Sequence, residues 1–257
     1  VWPHITAALD SLRVLAMLAI LVYHYAPHRM AGGFIGVDLF LVVSGFLLAR
    51  SLLKWDTKGF KRTYAAYLVK RVLRLGIPMV LVFLASVSVI NIFFPDLLYN
   101  IRGALLSSIV YVNNWWQISL GYSYFEQYVH PSAFTHLWYV AVLMQLCVVW
   151  PLLFTLLRRM KKGPFVLAAV QLVLAVISAV LMAVLYGGDG DPSRVYYGTD
   201  TRLYAFALGG ALGTIWRPGK MAQLHGRKVG LVADVVSLLG LVVLVVLALR
   251  LQDQSLW

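Results

Sequence analysis

An all-α, polytopic membrane bundle is the fold this sequence predicts, and three observations carry the prediction. The 257 residues are 61% hydrophobic and only 12% charged, about half the charge fraction of a soluble domain. Apolar runs long enough to cross a bilayer recur along the chain. Basic residues gather in clusters after every second run.

The runs fall at about 8–27, 34–53, 75–94, 136–157, 164–186, 200–216 and 229–250, giving seven expected spans. The first basic cluster is Arg50, Lys54, Lys58, Lys61, Arg62, Lys70, Arg71 and Arg74. The second is Arg158, Arg159, Lys161 and Lys162, and the third is Arg217, Lys220, Arg227 and Lys228. The opposite loops carry Asp96, Glu126, Asp189 and Asp191 with few bases. By the positive-inside rule the clusters are cytoplasmic, so the N-terminus is expected in the cytoplasm and the C-terminus outside. The net charge of +12 is then a topology signal of a multi-pass cytoplasmic-membrane protein, with no need for nucleic acid. Membrane lipid is the expected surrounding.

Two stretches do not read as simple spans. In 54–74 the bases interleave with Trp55, Phe60, Tyr64, Tyr67 and Leu68, the pattern of an amphipathic helix lying in the interface. The stretch 96–135 is long, outside, and rich in aromatics and amides, among them Asn113, Asn114, Trp115, Trp116, Gln117, Tyr122 and Tyr124. Re-entrant or surface-lying helices over the external mouth are expected there, because structureless loops of this length are rare. There is no internal repeat. No small-residue cleavage site follows the first apolar run, so no cleavable signal peptide is expected. The chain opens on Val1 and stops just after its last run, so it is expected to be one domain, 1–257, cut from a longer protein. Cys147 is the single cysteine, which excludes a disulfide framework. No metal site is expected.

The residues that could carry chemistry concentrate in 9–46. Arg13 and His24 stand eleven apart, which returns them to within about 20° on a helix and separates them by about 16 Å along its axis. They share a face without touching. Ionisable groups on an apolar helix usually face a bundle interior or a wet cavity, and a histidine of near-neutral pKa is the usual base for activating a hydroxyl. Asp10 and Arg13, three apart, either pair locally or meet substrate. Asp38, one turn into the second run, needs a partner, which His24 or Arg29 would supply. Lys70, Arg71 and Arg74 serve as inside-positive anchors or grip the phosphates of a cytosolic nucleotide-like donor. His136 opens the fourth run, and Asp200 and Arg202 open the sixth. That acid and base either pair with each other or join His24 and His136 in an external site for a polar acceptor. A proton-coupled transporter or flippase would use the same intramembrane Arg, His and Asp, but no inverted repeat or broken helix of the carrier type is visible. An envelope-assembly scaffold would need none of these groups.

Four ordered blocks resemble the integral-membrane acyltransferase family 3. They are LDSLRVLAMLAILVYH, in which Arg13 and His24 match an Arg-x10-His pattern; GGFIGVDLFLVVSGFLL at 32–48; KRVLRLGIP at 70–78; and HLWYVAVLMQLCVVWPLL at 136–153. YYGTDTRLYAFALGGALG at 196–213 adds a fifth. Within the family the chain is most like the membrane part of the bacterial peptidoglycan O-acetyltransferases. The resemblance implies an O-acetyltransferase that moves an acetyl group from cytosolic acetyl-CoA, its donor substrate, to a hydroxyl of a cell-envelope glycan. It also implies about ten spans and, in some members, an external SGNH-hydrolase-like domain as a partner. On that reading Arg71, Arg74 and Lys70 bind the donor with Arg13. His24 is base or transient acyl carrier, Asp38 orients it, and His136, Asp200 and Arg202 line the acceptor entrance. Many relatives have glutamate where this chain has Leu143 or Met144; that role is either unfilled here or taken over on the acceptor side, with Glu126 the candidate.

Overall fold

A computed structural model of the chain describes residues 2–55, 59–98, 101–125, 134–160, 163–186, 191–216 and 227–251. Among the described residues there are ten α-helices and no strand. In order they are α1 (Trp2–Tyr25), α2 (Gly36–Leu52), α3 (Phe60–Phe93), α4 (Ile101–Ile109), α5 (Asn113–Ser119), α6 (Leu137–Arg159), α7 (Pro164–Tyr186), α8 (Ser193–Tyr197), α9 (Thr199–Ile215) and α10 (Arg227–Arg250). The chain is an all-α polytopic membrane bundle. Six helices, α1, α2, α3, α6, α7 and α10, are long and apolar enough to cross a bilayer. The seventh expected span is α9, whose 17 residues rise only about 25 Å against a hydrocarbon thickness near 30 Å.

That short helix is the centre of the bundle, packed between α2 and α7. Small residues let it in. A side chain at Gly45 would run into the Phe206 carbonyl, and one at Gly209 into the Val42 carbonyl, so the α2 and α9 backbones touch. Apolar surface gives no drive for association within lipid, and close backbone packing with polar ties replaces it. Gln171 of α7 donates to the Thr214 hydroxyl at 2.9 Å. The Ser178 hydroxyl donates to the Asp200 carbonyl and accepts the Tyr204 N–H at 3.0 Å. On the other side, α6 buries Trp138, Val142, Leu146, Trp150 and Phe154, a row at four-residue spacing that forms one ridge.

Three helix ends meet where the basic clusters lie. Arg158, at the end of α6, donates to the carbonyls of Leu52 and Trp55 at 2.7 and 3.0 Å, and so caps α2. Arg50 donates to the Trp216 carbonyl at 2.6 Å, past the end of α9. The last carbonyls of a helix lack partners within it and carry partial negative charge, so these arginines tie the helix ends together.

Two expectations about the irregular stretches meet different outcomes. The amphipathic stretch forms no separate interfacial helix: from Phe60 it is continuous with the span, in one 34-residue α3. No glycine or proline stands between Phe60 and Arg74 to break it, and the helix carries through Pro78. The stretch 96–135 does contain short helices, α4 and α5, as expected. The turn joining them has Tyr111 at φ 56° and is held on α6 by Gln145. Its amide donates to the Tyr111 carbonyl at 2.8 Å and to Asn114 Oδ1 at 2.9 Å, satisfying backbone that lipid would leave unpaired.

Candidate functional site

His24 sits in the last turn of α1, at the end of the bundle away from the basic clusters. Its Nδ1 lies 2.8 Å from the Ile20 carbonyl. A carbonyl only accepts, so Nδ1 carries the proton, and in the neutral imidazole Nε2 holds the free lone pair. Toward Nε2 the Tyr124 hydroxyl donates at 3.2 Å. The His136 ring, at the N-terminus of α6, stands edge-on to His24 with centroids 4.7 Å apart. These groups face a cavity of about 480 Å³ whose walls include Met17, Phe40 and Tyr139. A basic nitrogen, a phenol and a second imidazole thus converge on one apolar chamber, an arrangement able to take a proton from a hydroxyl.

Tyr124 is fixed from every side. Its side chain is 2% exposed, and its backbone N–H donates to the Ser193 hydroxyl at 2.7 Å. Its ring lies 4.4 Å from Tyr196 and 6.0 Å from Trp138. Burial pushes the Tyr124 phenol up to about 12, so it keeps its proton at neutral pH and can donate. Behind Tyr196 lies Arg202, fully buried. Its guanidinium is 4.3 Å from the Tyr196 ring centroid, and its Nε donates to the Tyr196 carbonyl at 3.0 Å. Its Nη1 reaches both Asp38 oxygens at 2.8 Å.

This geometry redistributes the expected partners. Asp38 neutralises Arg202, and its link to His24 runs through Arg202, Tyr196 and Tyr124. Asp200 does not pair with Arg202 either. It takes Arg194, at 2.8 and 3.2 Å. Residues two apart on a helix do not face each other, and that spacing is the signal against an Asp200–Arg202 pair. His24 and His136 do come together. Glu126 lies outside the described residues. Tyr124 and Tyr196 are the site residues that the sequence pattern did not single out. Their signal was only membership of aromatic-rich stretches.

At the other end of the bundle a second cavity, about 460 Å³, is lined by Ser51, Trp55, Arg62, Thr63, Tyr67 and Lys70. Of the three expected donor-binding bases, Lys70 faces this cavity. Arg71 instead turns to Cys147, with Nη2 2.9 Å from the sulfur, and Arg74 is exposed one turn further on. Arg13 bonds Asp10 at 2.7 Å, the local pair. Both Arg13 and Arg71 lie near enough to Tyr139, on the wall of the His24 chamber, to act on it electrostatically.

Residues 6–256 match the family described as the acyltransferase domain. Over 222 residues the chain is 38% identical to the peptidoglycan O-acetyltransferase OatA of Listeria monocytogenes, covering 86% of this chain and 36% of that protein. It is 39% identical over 208 residues to the putative peptidoglycan O-acetyltransferase YrhL of Bacillus subtilis, covering 81% of this chain and 33% of the relative. With the O-acetyltransferase OatA of Staphylococcus aureus it shares 35% identity over 258 residues, 99% of this chain and 42% of the relative. The chain therefore spans between a third and about two fifths of the length of these relatives. No solved structure matches it. The ordered blocks around Arg13, His24, Lys70 and His136 are thus those of a member, and the chain belongs to the acyltransferase-domain family of integral-membrane acyltransferases, family 3.

Proposed function

We propose that this chain is the membrane unit of an O-acetyltransferase that takes acetyl from cytosolic acetyl-CoA and delivers it to a hydroxyl of an envelope glycan such as peptidoglycan. The observation that carries the reading is His24: its Nε2 is the basic nitrogen by the Ile20 hydrogen bond, and it faces a chamber shared with His136. The names of the relatives favour acetyl as the group and peptidoglycan as the acceptor. An external SGNH-hydrolase-like domain, in the part of the relatives this chain does not span, is the proposed partner.

The second cavity is the proposed donor mouth. Lys70 and Arg62 supply cations for phosphates, and Trp55 and Tyr67 supply aromatic faces for a base. With the basic clusters in the cytoplasm, that mouth opens inside and His24 lies toward the outside. From Arg13 to His24, and from Cys147 back to His136, the separation is eleven residues on each helix, about 16 Å. The long pantetheine arm bridges this depth and brings the thioester to His24. The acceptor oxygen attacks the carbonyl carbon as its proton passes to Nε2. The carbon–sulfur bond breaks, and the proton returns from His24 to the departing thiolate.

The test is transfer across a membrane. Full-length protein in proteoliposomes, with acetyl-CoA at the Lys70 end and a soluble peptidoglycan fragment at the His24 end, is expected to form the ester. Saturable acetyl-CoA binding accompanies it. A protein that binds no acetyl-CoA and moves an envelope precursor instead is a carrier, and the reading falls.

A further inference from the structure

We infer that the slot between α1, α2 and α10 binds one phospholipid of the leaflet at the His24 end, and that its acyl chain backs the helix carrying His24. The site stands apart from the proposed function; only its effect on transfer rests on that reading.

α1 is thinly held. Between Ala7 and Tyr25, Ala16 is the one buried residue. Its backbone meets the bundle along a narrow line: a side chain at Gly36 would strike the Ala16 carbonyl, and one at Gly33 the Ala19 carbonyl. On one side of that line Met17, Ile20 and His24 face the His24 chamber. On the other, Leu12, Leu15 and Val22 face a slot of about 300 Å³. At about 100° per residue the two sets point to opposite sides of the helix. The far wall of the slot is α10, along Leu241 and Leu244. It is tied to the hinge 26–35 by the Gly32 N–H, which donates to the Ala248 carbonyl at 3.0 Å.

Every side chain lining the slot is apolar. An empty slot would forfeit the dispersion contacts of its walls, and a bilayer supplies an apolar chain to fill it. On α1 the lining runs from Leu12 to Val22, about 15 Å. That is half of a hydrocarbon layer near 30 Å, and so the depth of one leaflet. About 300 Å³ spread over that length gives a mean cross-section of about 20 Å². This is room for one extended chain and too narrow for a helix about 10 Å across, so neither a further span nor a second copy fits. At the mouth, Met30 lines the slot, and Arg29 beside it is exposed. Its guanidinium matches a lipid phosphate in charge and geometry.

The test uses full-length protein in proteoliposomes that contain phosphatidylglycerol with a diazirine in its acyl chain. Photolysis is expected to label 12–22 and 241–248 well above Val173, Val176 and Ile177, exposed apolar residues of α7. Leu15→Trp and Leu244→Trp fill the slot from opposite walls, and each is expected to abolish that excess. Arg29→Gln is expected to weaken phosphatidylglycerol binding roughly fivefold. Stripped of lipid in detergent, the wild type is expected to transfer acetyl more slowly until phosphatidylglycerol is returned. Leu15→Trp, its slot already filled, is expected to need none. Slot labelling no stronger than that of α7 overturns the site, and so does an excess that survives both tryptophan variants. If neither variant folds, the wild-type labelling pattern decides alone. A full transfer rate in the stripped wild type overturns the support of α1. A labelled slot in a protein inactive under every condition leaves the site standing and overturns the proposed function instead.

Discussion

The two ends of the bundle hold cavities of similar size and opposite construction. At the His24 end a chain of buried polar groups leads from Asp38 to the imidazole. Asp38 holds Arg202, Arg202 holds Tyr196, Tyr196 packs on Tyr124, and Tyr124 bonds His24. At the Lys70 end the cations Arg62 and Lys70 are exposed on α3 and line an open mouth. The difference follows the demands of the proposed chemistry. Proton transfer needs donors and acceptors fixed within hydrogen-bond reach, whereas recognition of a flexible polyanion is served by long side chains that adapt.

Substitutions should therefore have different signatures at the two ends. The largest effect is expected from Arg202→Ala, which leaves the Asp38 carboxylate without its counter-ion in a mostly buried site. Breaking one side of such a pair costs about 3–5 kcal/mol. Folded protein in membranes should fall steeply, and an Arg202→Met, Asp38→Leu double variant should regain part of it. Next come Arg62→Ala and Lys70→Ala. These cations are exposed and screened, so each is worth about 1 kcal/mol, or roughly fivefold in the KM for acetyl-CoA. Neither kcat nor the melting temperature should move. The smallest effect is expected at Asp10→Asn. The pair with Arg13 has its carboxylate 65% exposed, and such pairs contribute about 0–1 kcal/mol. A melting temperature shifted by many degrees there would show that Arg13 depends on Asp10 far more than the open geometry implies.

The bundle was legible in the sequence because hydropathy and lysine–arginine asymmetry act locally along the chain. Each apolar run became a helix, and Arg50 and Arg158 confirm that the clusters converge at one end. The boundary expected near Arg74, between the amphipathic stretch and the third run, is absent because amphipathicity marks where a helix changes surroundings, and α3 changes surroundings without ending. His24 and His136 were legible as polar groups at the ends of apolar runs. Their meeting was not, since it depends on how α1 and α6 pack. Tyr124 was hidden for another reason. A tyrosine among many aromatics becomes a site residue only when Ser193, Tyr196 and Arg202, about 70 positions away, close around it. Asp38 was correctly marked as needing a partner, but proximity in sequence favoured His24 and Arg29, and the tertiary fold supplied Arg202 from 164 residues away.

The central claim is that His24 does the chemistry. The most direct measurement is the acetyl-ester content of the wall polymer in cells that make the full-length protein with His24→Ala, at the wild-type protein level. The account predicts that the ester falls to the level of cells lacking the protein, while acetyl-CoA still binds to the purified variant with wild-type affinity. Wild-type ester content would contradict it.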